Sequence, residues 1–188
     1  MAKNLENFNE TKLAGVWVQK PKSFPDTRGT TSEIFNLTNL PPELRGIEIT
    51  QILETRSSLG VIRGIHYSSL TNPQVKIVRC VQGEIRDCVI DLRPNSSTYG
   101  KYEVFELDSL NVTNLIISPG FGHAYQVLSN DATVLYALQT NFNFHQEYSI
   151  YPLDNDLSIP WANIQVVLSD RDSKAPLYNE VLKNRSFQ

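Results

Sequence analysis

Cysteine is scarce in this chain. Cys80 and Cys88 are the only two, too few for a disulfide-stapled scaffold. They flank a Gln82-Gly83 turn and would come close if their strands formed a hairpin. With no export signal, both read as reduced core thiols. Positive charge is not in excess either: 17 Lys and Arg stand against 20 Asp and Glu, and a net charge of -3 lacks the electrostatic footprint of a nucleic-acid binder. The short basic stretch around Lys183 and Arg185 reads as a solvated tail. Long apolar runs are missing: Asn114–Pro119 is among the longest and falls far short of a bilayer span. The opening MAKNLENFNE has no apolar signal core, so a cytoplasmic protein without a membrane partner is expected. Repeats, low-complexity tracts and Gly/Ser linkers are absent as well. Residues 1–188 are therefore expected to form one domain, long enough to bury a core.

What the chain does contain is a succession of short β-type segments cut by turn signals. The expected strands are Gly15–Gln19, Thr31–Asn36, Glu48–Thr55, Val61–Tyr67, Val75–Val81 and Glu84–Leu92, followed by Tyr102–Leu107, Asn114–Ser118, Ala124–Leu128, Thr133–Thr140 and Glu147–Tyr151. Helix is confined to a turn at Pro41–Arg45 and a C-terminal segment from about Asp172 to Asn184. Many short strands with little helix predict an all-β, antiparallel jelly-roll barrel of cupin-like type with a few short helices. Within it, Val134, Tyr136 and Leu138 share one strand face, and Lys76, Val78 and Cys80 share another. A lysine on an inward face calls for a wet pocket, so function is expected inside the barrel.

The three histidines narrow the chemistry. His66 lies in Arg63-Gly64-Ile65-His66-Tyr67 and His123 in Pro119-Gly120-Phe121-Gly122-His123, while His145 falls in a loop-like run and reads as surface. A metal-binding barrel would want an HxH pair with a nearby acid. Position 64 is Gly, and positions 68–76 hold no carboxylate, so no metal and no cofactor are expected. His, Lys, Arg and Tyr in one cavity suit proton transfer next to a carbonyl. Histidine supplies a base near neutrality, Lys76 and Arg63 could stabilise an enolate oxygen, and Tyr136 can return a proton from the other face. Asp172 is the candidate to orient the base. Each has a plainer reading when taken singly: His66 as a structural hydrogen-bonder, Tyr136 as core, Lys76 snorkelling from a strand edge and Asp172 as a helix cap.

Taken in order, the segments FPDTRGTTSEIF (24–35), GVIRGIHYS (60–68), QVKIVRCVQGEIRDCVIDLRPNSSTYG (74–100), ISPGFGHAYQVLS (117–129), VLYAL (134–138), DLSIPW (156–161) and LSDRD (168–172) resemble the dTDP-4-dehydrorhamnose 3,5-epimerase family over most of the chain. The resemblance implies a nucleotide-sugar isomerase that epimerises C3, C5 or both of a dTDP-4-keto-6-deoxyhexose through an enolate. It implies His66 as base, Asp172 as its partner, Tyr136 as proton donor and Lys76 as enolate stabiliser. Arg63 and His123 would contact the sugar and diphosphate region, Arg28 and Glu33 the nucleotide, and Gln51, Glu147 and Phe142 would complete the substrate-binding set. It further implies a homodimer exchanging N-terminal strands, so that the nucleotide site is partly intersubunit.

The likeness has departures. Ser68 stands where the family commonly has Gln, Thr31 where an aromatic is frequent, Leu53 where Asn is usual, and Asn141-Phe142 in place of a Tyr-Tyr pair. These leave the inverted carbon and the nucleotide base open. A 3,4-ketoisomerase on the same substrate class, a metal-dependent cupin and a non-catalytic sugar-binding barrel stand as alternatives. Arg63 and His66 also pose a geometric problem: three residues apart, a regular strand aims them at opposite faces unless Gly64 marks a bulge.

Overall fold

The structure is a computed structural model and describes residues 7–38, 40–69, 73–143 and 146–183. His145, Asn184 and Arg185 lie outside the described residues. Thirteen strands are found among them: β1 (Phe8–Glu10), β2 (Val16–Gln19), β3 (Ser23–Asp26), β4 (Gly29–Ser32), β5 (Gln51–Ser58), β6 (Ile62–Ser68), β7 (Lys76–Gln82), β8 (Glu84–Asp91), β9 (Tyr102–Asp108), β10 (Asn114–Ile117), β11 (Phe121–Val127), β12 (Asp131–Leu138) and β13 (Glu147–Ser149). A 3-10 turn at Pro42–Leu44 and two short helices, α1 (Asp170–Ser173) and α2 (Tyr178–Lys183), complete the described elements.

The strands form a cupin-like jelly roll of two antiparallel sheets. One has the order β1-β2-β10-β7-β12-β5, the other β13-β6-β11-β8-β9, and β3 and β4 make a separate hairpin. Strand alternation explains how one interior holds both a core and a cavity. On β7 the inward positions run from Lys76 to Val78 and Cys80, and on β12 from Leu138 and Tyr136 to Val134 and Ala132. The far ends of these rows join Ile85, Val89, Tyr125 and Val127 in a dry core, while Lys76, Tyr136 and Leu138 line a cavity. The outward rows are covered as well. Phe35, Ile47 and Ile49 pack on Trp17, Ile77 and Ile116 of the larger sheet. Leu157, Ile159 and Val181 pack with Ile65, Cys88 and Ile90 of the smaller one. Each fully buried aliphatic side chain among these, such as Ile65, Ile90 and Ile116, contributes roughly 1.5–3 kcal/mol.

Several expectations shift. The strand expected over Thr31–Asn36 ends at Ser32, because the chain then turns across the larger sheet to bury Phe35. The strand expected from Glu48 begins at Gln51 and runs on to Ser58. The C-terminal helix is two short pieces, since the ring of Pro176 interrupts it between α1 and α2. Cys80 and Cys88 are both free and buried, in different sheets and different clusters, so no hairpin brings them together. Burial pushes the Cys80 thiol up to about 11 and the Cys88 thiol well above its ordinary value. No helix among the described residues is long and apolar enough to cross a membrane.

Candidate active site

The site is built around an irregularity in β6. Across the β6–β11 pair, His123 faces His66 and Tyr125 faces Arg63, with a register shift between them. One residue of β11, Ala124, therefore opposes two of β6, Gly64 and Ile65, which is a bulge, and it brings Arg63 and His66 onto the same face. Gly64 makes this possible. Its φ is +110°, and a Cβ there would lie 2.4 Å from the His123 carbonyl oxygen. The Gly64-Ile65 peptide bond is cis. Both Arg63 and His66 line a cavity of about 740 Å³ between the sheets.

His66 is held from behind. Its Nε2 is 2.7 Å from Asp172 Oδ1, and Asp172 is 3% exposed. Asp172 sits in the first turn of α1, where the Ser169 hydroxyl caps its N–H at 3.1 Å, and the Gly64 N–H lies 3.5 Å from Oδ2. Burial alone would raise the Asp172 pKa. The hydrogen bond and charge of His66, with Ser169 and Gly64, outweigh this and hold it below the ordinary value. The carboxylate is thus ionised, and in the neutral imidazole it fixes the one ring proton on Nε2, leaving Nδ1 bare. A second pair lies beside the first: His123 Nε2 is 2.7 Å from Asp87 Oδ2, both groups buried, with Asp87 Oδ1 unpartnered.

Lys76 reaches Glu147 of β13, its Nζ donating to Oε1 at 3.3 Å. Arg171 of α1 donates to Glu147 Oε2 at 3.2 Å and to its carbonyl oxygen at 2.7 Å. Burial would raise the Glu147 carboxyl, but Lys76, His66 and Arg171 hold it below its usual range. On the sheet facing His66, Tyr136 lines the same cavity and meets His123 edge-to-face, ring centroids 5.9 Å apart. Burial, with Tyr125 and Asp87 nearby, pushes its hydroxyl well above 10, and Arg63 pulls the other way.

The structure brings His66, Asp172, Lys76, Tyr136, Arg63, His123, Glu147 and Phe142 to one cavity. Gln51 is not among the lining residues; at 2.7 Å its Oε1 accepts the backbone N–H of Phe142, which is. Arg28 and Glu33 are not among the cavity lining of their own chain. Arg28 pairs with Asp26 at 2.6 Å on the exposed β3–β4 hairpin, and Glu33 accepts from Asn36. Sequence reasoning missed Asp87, Arg171 and the Arg63 partner Ser57, whose hydroxyl oxygen accepts from Nε at 2.9 Å. The signal for Asp87 was a carboxylate on the Ile85–Val89 inward row; Arg171 lay hidden beside Asp172. Of the departures, Leu53 lines the cavity directly across the strand pair from Tyr136. Among the described residues, no group of three or more His, Cys, Asp and Glu is arranged to hold a metal ion.

A jelly roll whose cavity sets an oriented histidine against a neutral tyrosine, with lysine and arginine in the same lining, has the apparatus of a proton-transferring sugar isomerase. The dTDP-4-dehydrorhamnose 3,5-epimerase model matches residues 10–180, and the chain belongs to that family. A dTDP-4-dehydrorhamnose 3,5-epimerase of Streptomyces griseus is 34% identical, with 87% of this chain and 82% of that protein covered. The crystal structure of a 4-keto-6-deoxy sugar epimerase from the novobiocin cluster of Streptomyces spheroides superposes with a TM-score of 0.92 at 31% identity, covering 96% and 91% of the two chains. A 3'-monoepimerase of Streptomyces bikiniensis, in complex with dTDP-quinovose, gives 0.87 at 32% identity over 94% and 90%.

Proposed function

We propose that this protein inverts C5, C3 or both of a dTDP-4-keto-6-deoxyhexose with its own side chains and no cofactor. His66 Nδ1 removes the proton next to the ketone, and Asp172 stabilises the imidazolium that forms. Lys76 offers positive charge to the enolate oxygen. Tyr136 delivers a proton to the other face, and Arg63 stabilises the phenolate it leaves. The observation that carries this reading is the 2.7 Å His66–Asp172 bond, which leaves the bare nitrogen in a cavity whose facing sheet holds Tyr136.

The same reading makes the molecule a cytoplasmic homodimer in which Arg28 and Glu33 serve the partner's nucleotide. Both free thiols suit a reducing compartment. Support for the dimer is the exposure of the β3–β4 hairpin, with Phe24 57% exposed, and of the edge strand β5, with Ile52 61% exposed. The test is proton NMR in heavy water with dTDP-4-keto-6-deoxyglucose, followed at H3 and H5. Exchange with inversion is expected in the wild type and none in H66N. Exchange that survives H66N refutes the base, and a ketone carbon that migrates to C3 refutes epimerisation.

A further inference from the structure

Glu147 has more cationic neighbours than one carboxylate in a sugar pocket needs. Its Oε1 accepts from Lys76 at 3.3 Å, its Oε2 accepts from Arg171 at 3.2 Å, and Oε2 also stands 3.9 Å from His66 Nδ1. The last distance is too long for a hydrogen bond to neutral imidazole and within range of an ion pair once Nδ1 carries a proton. The group is built into the frame. β13 pairs with β6 in the register Glu147↔Ser68 and Ser149↔His66, and Arg171 pins both the carboxylate and the carbonyl of Glu147. Adjacent residues of α1 thus brace the two acids flanking the base, Asp172 directly at Nε2 and Glu147 through Arg171 at Nδ1.

We infer that Glu147 is a positioning residue that hands its charge from Lys76 to His66 during turnover, rather than a ligand of the sugar. Before proton abstraction Glu147 holds the ammonium of Lys76 at the cavity wall. When Nδ1 takes the substrate proton, Glu147 becomes a second counter-ion of the imidazolium beside Asp172, and Lys76 is released to the enolate oxygen that forms in the same step. No net charge is created in the cavity wall without a partner. Ionisation of Glu147 in its buried position, maintained by Lys76 and Arg171 and by His66 once protonated, agrees with this. The inference rests on His66 being the base. Besides Glu147, the other charged or titratable groups that line the cavity with that ring are Asp172 and Arg171 from α1, Lys76 from β7, His123 from β11, Tyr136 from β12, Glu54 from β5 and Arg63 on β6 itself.

The experiment compares wild type, E147Q, E147D and H66N by kcat and KM against pH, with dTDP-4-keto-6-deoxyglucose. Loss of the negative charge makes His66 easier to deprotonate, so the acid limb of E147Q is expected to move to lower pH by roughly one unit. Its plateau kcat is expected to fall roughly tenfold or more, with KM little changed. E147D keeps the charge, and its acid limb is expected to stay near that of wild type even if kcat falls. A raised KM with kcat and the acid limb unmoved makes Glu147 a substrate ligand and overturns the inference. A limb displaced equally in E147D and E147Q overturns it too, because the charge is then irrelevant. Activity surviving in H66N is a different failure, that of the base assignment.

Discussion

Replacing Asp172 with Asn tests the His66 pair at its most sensitive point. The carboxylate accepts from His66 Nε2 at 2.7 Å and sits 3% exposed, so the new amide must occupy the same slot. The Gly64 N–H, 3.5 Å from Oδ2, favours the amide oxygen on its side and turns the amide NH2 toward Nε2. The imidazole then accepts at Nε2, and its own proton moves to Nδ1, the nitrogen that should receive the substrate proton. Two losses combine. The charge-assisted hydrogen bond to the imidazolium is worth about 1.5–3 kcal/mol, or roughly ten- to a hundredfold in rate. Reversal of the tautomer brings the total to roughly three to four orders of magnitude. D172A loses the charge without imposing the wrong tautomer, so Asn should be the worse substitution. The assay is deuterium wash-in at H3 and H5 of the keto-sugar, with thermal melts of both variants as controls. D172N within threefold of wild type, or faster than an equally folded D172A, would refute the reasoning.

Tyr136→Phe removes the proton donor but leaves the base, so deuterium uptake from the His66 face should persist while inversion is lost; an inverted product from Y136F contradicts the assignment. Gly64→Ala puts a Cβ 2.4 Å from the His123 carbonyl oxygen at φ +110°, and a loss of about 3 kcal/mol in thermal or urea melts is expected. A stable, active G64A would show that the bulge is not what aligns Arg63 with His66. Asp91, fully buried, accepts from Arg93, Ser96 and Thr98, each at 2.6 Å. Burial would raise its pKa, but these bonds hold it at about 2, below the ordinary 3.8. A depressed folded value gives stability that is present above the unfolded pKa and is lost as pH falls from near 4 toward 2. D91N should therefore cost about 2 kcal/mol at pH 7 and visibly less at pH 3; an equal penalty at both pH values would show that the charge is not what stabilises this loop.

Strict alternation made parts of the sequence easy to read. β7 and β12 carry their inward rows in plain view, and a lysine at position 76, in line with Val78 and Cys80, is by itself a sign of a wet cavity. β1 escaped because three residues are too few to show a period, and β3 because Pro25 sits in an exposed strand with no buried face to mark. β11 starts at Phe121, three residues earlier than expected, because Gly122 reads as part of a turn. In the sheet it lies where Ile90 and Ile65 leave no room for a side chain. Within the site, the bulge at Gly64 was inferable only as a question, since pairing register is a property of two strands. Asp87 and Arg171 were beyond motif reading for a related reason: their importance lies in contacts with residues 36 and 24 positions away.

Arg28 presents the sharpest separation between a single chain and an assembly. Its side chain is 87% exposed and tied to Asp26, outside the cavity lining of its own chain. A nucleotide-holding role requires that the hairpin of one protomer close the cavity of another. Mixing two crippled variants distinguishes this from a role within one chain. R28A and H66N are refolded together, or co-expressed with different tags, so that half of the dimers are mixed by chance. If Arg28 acts across the dimer, one site of each mixed dimer combines an intact His66 with an intact Arg28, and its other site lacks both. Total activity should then recover to about a quarter of wild type, through intact sites in a closed two-fold pair. If Arg28 serves its own chain, every site in the mixture lacks one or the other group. Activity would then not exceed the average of the two parents, and the exchanged-hairpin reading would be wrong.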